Sequence, residues 1–247
     1  MSASADDAAV SAREPVHRVA AIDWERVYDD LDARGNARIE RLLARDECDD
    51  LTALYSTSHI FRSRVLMQCH GFGQGEYKYF SYPLPDTVAG VRAALYPYLA
   101  RVADRWNAAM GIDVHYPRRH NDFIARCHAA GPIKPTPLLL RYGMDDYNCL
   151  HQDVYGVHVF PLQVTLLLSA PERDFSGGEF VIMQQWPRRQ SRPEVVPLRQ
   201  GDAVVFAFHR RPVPGARGIS RVNLRHGVSR VRAGHRYALG VIFHDAE

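Results

Sequence analysis

The sequence lacks the long hydrophobic run that a membrane-spanning helix needs. No apolar stretch reaches the ~20 residues required to cross a bilayer. The first fifteen residues, MSASADDAAVSAREP, show neither the basic start nor the apolar segment of a secretory signal. We therefore expect a disordered tail over residues 1–20 and a cytoplasmic protein, monomeric or homodimeric, with no membrane partner.

Cysteine is scarce, and its spacing excludes the common zinc-ribbon site. The cysteines are Cys48, Cys69, Cys127 and Cys149, and no two of them form a CxxC pair. For a cytoplasmic protein we expect these four side chains to be reduced thiols rather than disulfides.

Lysine is nearly absent, and the charge is unevenly distributed along the chain. Only two of the 31 basic residues are lysines, Lys78 and Lys134. Residues 1–60 hold seven Arg and thirteen Asp or Glu, whereas residues 186–236 hold twelve Arg and two acidic residues. The basic C-terminal region favours an anionic partner such as nucleic acid. A codon bias toward arginine is the alternative explanation.

Helical and β patterns occupy different halves of the chain. Asp23–Gly35 and Asp86–Gly111 have helical spacing and end in glycine, and Pro97 is expected to kink or divide the longer helix. After Gly131 come short β-prone runs separated by turn signals, such as TPLLLRY, GGEFVIM and RYALGVIFH. We predict an α+β domain over residues 21–247, in which 21–131 form a mainly helical support and 132–247 a jelly-roll core.

Two His-x-Asp motifs are present, and about one is expected by chance from the 12 His of this composition. His120–Asn121–Asp122 precedes a predicted helix, where Asn121 or Asp122 suits a cap, so we interpret His120 as structural. His151–Gln152–Asp153 lies at a strand end. Residues two apart on a strand project from the same face, so His151 and Asp153 are able to reach one point.

A third metal ligand and an anion anchor follow downstream. His226, in RVNLRHGVS, completes a set of two imidazoles and one carboxylate, which is typical of a non-haem Fe(II) centre with three open positions. Arg236 begins the next β-prone run, where it is able to grip a carboxylate with two parallel hydrogen bonds. Arg230 is the reserve candidate for that anchor.

This order of residues resembles the Fe(II)/2-oxoglutarate-dependent dioxygenases. LLLRYGMDDYNCLHQD and SGGEF are similar to segments of the prolyl 4-hydroxylase-like branch, as is LLARDECDDLTALY. HGFGQGEYKYF, RPVPGARG and VNLRHGVS resemble a bacterial group of uncharacterised oxygenases predicted to act on nucleic acid. The resemblance runs from about Asp23 to Asp245 and implies a double-stranded β-helix (jelly-roll) core with N-terminal helices packed on it.

The resemblance also implies a role for each matching residue. His151, Asp153 and His226 would hold Fe(II). Arg236 would bind the distal carboxylate of 2-oxoglutarate, with Tyr142 adding a hydroxyl. The co-substrates would be 2-oxoglutarate and O2, and the products succinate, CO2 and a hydroxylated or demethylated substrate.

Further site residues are suggested by their positions alone. Gln163 would hydrogen-bond the keto acid or the substrate, and Tyr147 and Asn148 would point into the same cavity. Tyr77 and Tyr79, with Phe80, would form a lid or a stacking surface, or else simply pack in the interior. His244, at the end of the last strand, is assigned no catalytic role.

The sequence leaves the substrate open among a small metabolite, a protein side chain such as prolyl, and alkylated nucleic acid. Two other classes of function compete with the dioxygenase. One is a jelly-roll binding module without activity, which would be indicated by a missing ligand, and none of the four key residues is missing. The other is a zinc hydrolase built on the same triad, which leaves Arg236 without a purpose.

Overall fold

The computed structural model of the protein describes residues 14–154, 159–186, 188–215 and 218–247. The helices are Pro15–Ala20 (α1), Trp24–Arg34 (α2), Arg45–Ala53 (α3), Asp86–Ala109 (α4) and His120–Ala129 (α5), with short 3-10 turns at Leu54–Ser56, Ser58–Ile60 and Met67–His70. Helix α2 begins where the Asp23 carboxylate accepts a hydrogen bond from the Arg26 amide at 3.1 Å. It ends at Gly35, whose φ of 79° lies in the left-handed region that glycine adopts freely.

The strands form two facing sheets and a small ribbon. They are Asn36–Ile39 (β1), Phe61–Leu66 (β2), Gly73–Gln74 (β3), Glu76–Phe80 (β4), Leu138–Tyr142 (β5), Tyr147–His151 (β6), Leu162–Leu167 (β7), Phe175–Gly177 (β8), Phe180–Gln185 (β9), Arg192–Val196 (β10), Ala203–Ala207 (β11), Arg210–Gly215 (β12), Gly218–Val228 (β13), Val231–Gly234 (β14) and Arg236–Val241 (β15). Within the described residues, the larger sheet has the order β1-β11-β7-β15-β5-β4-β2 and the smaller β10-β9-β13-β6-β3, with β12 also on β13 and β14 on β8.

Among the described residues, the strands of these two sheets pair in an antiparallel manner, and the two sheets build the predicted jelly roll beneath the helices. The interior is one large cluster of buried apolar side chains from helix α4 and both sheets, including Leu95, Leu99, Val164, Phe180 and Leu239. Among the described residues, no helix is both long and apolar enough to cross a membrane.

The N-terminal segment differs from the predicted helical support because four of its strands join the sheets. Strand β1 pairs with β11 at one edge of the larger sheet, and β4 and β2 extend the opposite edge beyond β5. Strand β3 pairs with β6 at the edge of the smaller sheet. The jelly roll therefore draws on residues from both sides of the boundary predicted at residue 131.

The predicted tail over residues 1–20 is wrong from Pro15 onward; residues 1–13 lie outside the described residues. Pro15 opens helix α1, a position where its missing N–H costs nothing. Val19 is fully buried, and the Arg18 side chain donates to the Leu42 carbonyl at 2.8 Å and contacts the Glu47 carboxylate. These contacts stabilise a helix in a segment whose sequence is otherwise polar.

Helix α3 begins after the N-cap Ala44, whose amide donates to the Glu47 carboxylate at 2.7 Å. Helix α4 differs from the sequence-based expectation. Pro97 lies inside α4 without dividing it, so that Asp86–Ala109 is one helix.

Helix α4 is tied to the C-terminal segment by a buried ion pair. Arg92 donates from Nη2 to Asp245 Oδ1 at 2.8 Å, and both side chains are almost fully buried. Asp245 also accepts from the Tyr82 hydroxyl and contacts His128 Nε2, each at 2.8 Å. The last residues of the chain are thereby fixed against the helical layer.

Replacing Asp245 with Ala should lower the free energy of unfolding by about 3–5 kcal/mol, because it leaves the Arg92 guanidinium buried without a counter-charge. Urea denaturation measures the loss. The matched control is Asp122→Ala, which removes an exposed carboxylate paired with Arg119 and should leave the free energy of unfolding nearly unchanged. Equal losses in the two variants would contradict the structural importance of the buried pair.

Candidate active site

Strand pairing brings the three predicted metal ligands together. His151 is the last residue of β6, and His226 on β13 is its direct cross-strand partner. Asp153 follows two residues after His151. Its Oδ1 lies 3.4 Å from His151 Nε2 and its Oδ2 lies 3.5 Å from His226 Nε2. One possible ligand atom from each residue lies within 4.8 Å of the others.

The hydrogen bonding of His151 prepares its other ring nitrogen for a metal ion. Nδ1 lies 2.8 Å from the Cys149 carbonyl, and since a carbonyl only accepts, Nδ1 carries the proton. Nε2 is then unprotonated and its lone pair faces Asp153. A backbone carbonyl that fixes the tautomer in this way is a common support for metal-binding histidines.

His226 is held in the neutral form by burial. Burial and the neighbouring His151 lower the pKa of His226 well below its usual value. Its Nδ1 has no hydrogen-bond partner among the described residues, and its ring packs against Phe206 at a centroid distance of 4.6 Å. The His226 side chain is thus a buried, neutral imidazole.

Asp153 supplies the negative charge of the triad. Burial raises the pKa of Asp153, while the neighbouring His151 and Gln163 side chains act in the opposite direction. A half-buried carboxylate facing two imidazole nitrogens would be stabilised by a divalent cation between them. Two imidazoles and one carboxylate suit Fe(II), so the donor set fits this ion.

A cavity of about 660 Å³ opens at the triad and runs along the inner face of the larger sheet. Its wall is formed by alternating residues of neighbouring strands, whose side chains project from one face. The residues used below are Tyr79, Leu138, Tyr142, Gln163, Arg236 and His244.

Arg236 and Tyr142 are cross-strand partners in this wall. Arg236 is 1% exposed, its Nε has no hydrogen-bond partner, and its guanidinium lies 5.5 Å from the centre of the Tyr142 ring. Burial lowers the pKa of Arg236. No carboxylate lies within ion-pair distance of Arg236 in the described part of the chain. Such a cation is arranged to receive an anion from the cavity.

The remaining predicted residues divide between the cavity and the surface. Gln163 is buried in the wall, and its Nε2 has no hydrogen-bond partner among the described residues. Asn148 also lines the cavity and donates from Nδ2 to the Tyr142 hydroxyl at 3.4 Å. Tyr147 points away: it is 37% exposed and does not line the cavity. Arg230 is exposed and pairs with Asp145 at 3.1 Å, so it is not placed to replace Arg236.

His244 lines the cavity, although no catalytic role is assigned to it from the sequence. The signal was available in the spacing of the last strand, because Arg236, Ala238, Gly240, Ile242 and His244 alternate along one face and all line the cavity.

Of the remaining candidates, His120 fits the structural role predicted for it, and the three aromatic residues divide between the cavity and the core. His120 is buried, and its Nε2 lies 2.8 Å from the Phe243 carbonyl, which fits a structural residue. Tyr77 and Tyr79 line the cavity, whereas Phe80 is fully buried in the core.

Comparison with known proteins gives the family. Residues 75–246 match the Oxygenase-NA family, described as "Oxygenase, catalysing oxidative methylation of damaged DNA". Two uncharacterized proteins of Mycobacterium tuberculosis, from strains CDC 1551 and H37Rv, are each 48% identical over 167 residues, which cover 68% of this chain and 72% of theirs.

Solved structures share the fold at low sequence identity. A Pseudomonas putida prolyl-4-hydroxylase aligns with a TM-score of 0.53 at 14% identity, over 89% of this chain and 97% of that one. A 2OG-Fe(II) oxygenase-family oxidoreductase from Burkholderia pseudomallei aligns with a TM-score of 0.50 at 18% identity, over 91% and 93%. A Trichoplax adhaerens prolyl hydroxylase aligns with a TM-score of 0.53 at 14% identity, over 91% and 89%.

Family, fold and triad together define the class as the Fe(II)/2-oxoglutarate-dependent dioxygenases. Within it, the chain belongs to the Oxygenase-NA family.

We expect Asp153→Ala to weaken Fe(II) binding by more than about 100-fold, because it removes the one anionic ligand of the site. Metal analysis after anaerobic dialysis measures the retained iron. The control is Asp113→Ala, which removes a fully exposed carboxylate outside the cavity and should retain iron like the unmodified protein. Stoichiometric iron in a folded Asp153→Ala variant would contradict the assignment.

Proposed function

We propose that the protein couples the decarboxylation of 2-oxoglutarate to the hydroxylation of an alkyl carbon on damaged nucleic acid. His151, Asp153 and His226 hold Fe(II), and Arg236 binds the distal carboxylate of 2-oxoglutarate. One observation carries the proposal: the triad lines the same cavity as a buried arginine that has no carboxylate partner within the described ranges.

The bound iron and keto acid supply an oxidation that puts one atom of O2 into succinate and the other into a substrate C–H bond, with release of CO2. A hydroxylated N-methyl group then leaves as formaldehyde and regenerates the amine. The protein contributes binding, orientation and exclusion of water.

Arg236 and Tyr142 form the anionic-ligand end of the cavity. The planar guanidinium presents parallel N–H donors that match the two oxygens of a carboxylate, and its orphaned Nε is one of them. The Tyr142 hydroxyl, held by Asn148, is a further donor at the same end. Because both side chains are buried, these hydrogen bonds are stronger than they would be in water.

Nucleic acid is the substrate class that the family description and the surface charge both favour. Arg210, Arg221 and Arg225 lie exposed on the neighbouring strands β12 and β13, and none of the three has a carboxylate partner in the described part of the chain. Cations in such a row are able to follow a phosphate backbone. The prolyl hydroxylases share the fold alone, so a protein side chain is kept as an arm of the test.

The direct test is succinate formation by Fe(II)-loaded protein, alone and with methylated oligonucleotides, proline-containing peptides or small metabolites. The proposal expects a slow basal rate, absent in His226→Ala, and stimulation by methylated oligonucleotide with formaldehyde release. Stimulation by peptide alone would overturn the substrate class. No succinate from iron-loaded protein under any condition would overturn the reaction.

Arg236→Met should raise the KM for 2-oxoglutarate at least about 30-fold, because it removes a buried charge partner while keeping an unbranched side chain of similar length. Succinate formation at varied 2-oxoglutarate measures the change. Arg230→Met, at the exposed arginine, is the control and should leave the KM unaltered. A raised KM in the Arg230 variant, with none in the Arg236 variant, would move the anchor to Arg230.

A further inference from the structure

The pairing of three strands orders the residues along the cavity wall. Strand β15 has Arg236 opposite Tyr142 on one side, and Val241 opposite Val164 on the other. In antiparallel pairing, Gln163 is then level with Ile242. The Gln163 side chain lies close enough to Asp153 to affect the pKa of its carboxyl group, so the triad lies near the level of Ile242.

Along the cavity, the triad therefore lies between His244 and the proposed 2-oxoglutarate end at Arg236. It follows Ile242 by two residues, whereas Arg236 precedes Ile242 by six, and all three line the cavity. If the keto acid extends from Arg236 to the metal ion, the remaining space near His244 belongs to the substrate.

The hydrogen bonding of His244 leaves a single donor for the cavity. The Phe160 amide donates to His244 Nδ1 at 3.2 Å, so Nδ1 is unprotonated. Burial, with a contribution from Arg92, lowers the pKa of His244 to about 4, so the ring is neutral at pH 7. Its one proton is then on Nε2, which has no hydrogen-bond partner among the described residues.

The backbone of His244 is fixed from the helical layer. Its carbonyl accepts from Arg92 Nη2 at 3.1 Å and from the Thr136 hydroxyl. The next residue, Asp245, forms the buried ion pair with Arg92. A histidine held at backbone and ring presents its free N–H in one direction, which is what selective recognition of an acceptor requires.

We propose that His244 is a substrate-binding residue whose Nε2–H donates to an acceptor atom of the damaged base, a carbonyl oxygen or an unprotonated ring nitrogen. The proposal rests on the function proposed above for the same cavity. The neighbouring wall fits a flat, largely apolar ring, since it includes Leu138, Ile242 and Tyr79, with the Arg62 guanidinium 4.4 Å from the Tyr79 ring centre. A base that turns an edge without an acceptor atom toward His244 would leave the Nε2–H donor without a hydrogen bond.

The tautomer is tested first, without substrate or metal. Nitrogen NMR of histidine-labelled protein, with His244→Gln to assign the signal, should show His244 protonated at Nε2 and unprotonated at Nδ1. Protonation at Nδ1 would overturn the proposal, because the cavity would then face a lone pair.

Kinetics test the role itself, with a single-stranded oligonucleotide methylated by methyl methanesulfonate as the probe. His244→Phe should lower kcat/KM for formaldehyde release about tenfold to a hundredfold, the effect of one lost hydrogen bond in a buried site. The KM for 2-oxoglutarate, which binds at the Arg236 end of the cavity, should change less than about twofold. His244→Gln, which retains a side-chain donor, should recover most of the loss.

His120→Phe is the control for structural damage. His120 is buried and bonded to the neighbouring Phe243 carbonyl, but it does not line the cavity, so kcat/KM should be retained while the protein is folded. The proposal would be overturned if the loss of kcat/KM paralleled the loss of melting temperature in the same way in all three variants. Full activity in His244→Phe would overturn it too. Failure of the unmodified protein on the probe would instead overturn the proposed substrate class, and this inference with it.

Discussion

The site depends on the register between β6 and β13, which sets His226 directly opposite His151. A slip of one residue would turn His226 to the outer face and bring Arg225 inward, because side chains alternate along a strand. The close approach of the two strands needs Gly227: a Cβ there would lie 2.6 Å from the Asn148 carbonyl oxygen. The metal site is therefore a property of the strand pairing as much as of its three ligands.

The cavity also holds polar groups that folding alone does not explain. Within the described residues, His226 Nδ1, Gln163 Nε2 and Arg236 Nε are buried without hydrogen-bond partners. Each such group costs about 1–3 kcal/mol when it is left unsatisfied. Four further atoms of this kind lie outside the cavity, on Asn36, Tyr55, Tyr96 and Arg211. The presence of three in a single cavity, together with the triad, fits a binding site for polar ligands.

Much of the β region and the core of the site was predictable from the sequence. The alternating, β-branched runs after residue 131 indicated a jelly roll, and two-residue spacing indicated that His151 and Asp153 share a face. The strands at Asn36–Ile39 and Glu76–Phe80 were harder to place, because a short strand at or near a sheet edge gains its stability from distant partners such as β11 and β5. Sequence pattern does not identify those partners.

The directions of the side chains around the metal site were also not predictable from the sequence. Tyr147 and Asn148 were equal candidates, but the structure turns Asn148 into the cavity and leaves Tyr147 at the surface. The pairing of β6 with β13 is irregular between His226 and Val228, and this irregularity sets which of the two side chains faces the cavity. The irregularity depends on the partner strand and not on the β6 sequence alone. His244 was overlooked for a simpler reason: it lies past the end of the strand, where alternation is no longer assumed although it continues.

The most direct test of the account is the visible absorption of Fe(II)-loaded protein titrated with 2-oxoglutarate in the absence of O2. If the triad holds iron and the keto acid reaches it from Arg236, a weak visible band should develop and saturate at one equivalent. Protein loaded with zinc should give no band. Iron that remains bound while 2-oxoglutarate produces no band would contradict the claim that the two ligands share this cavity.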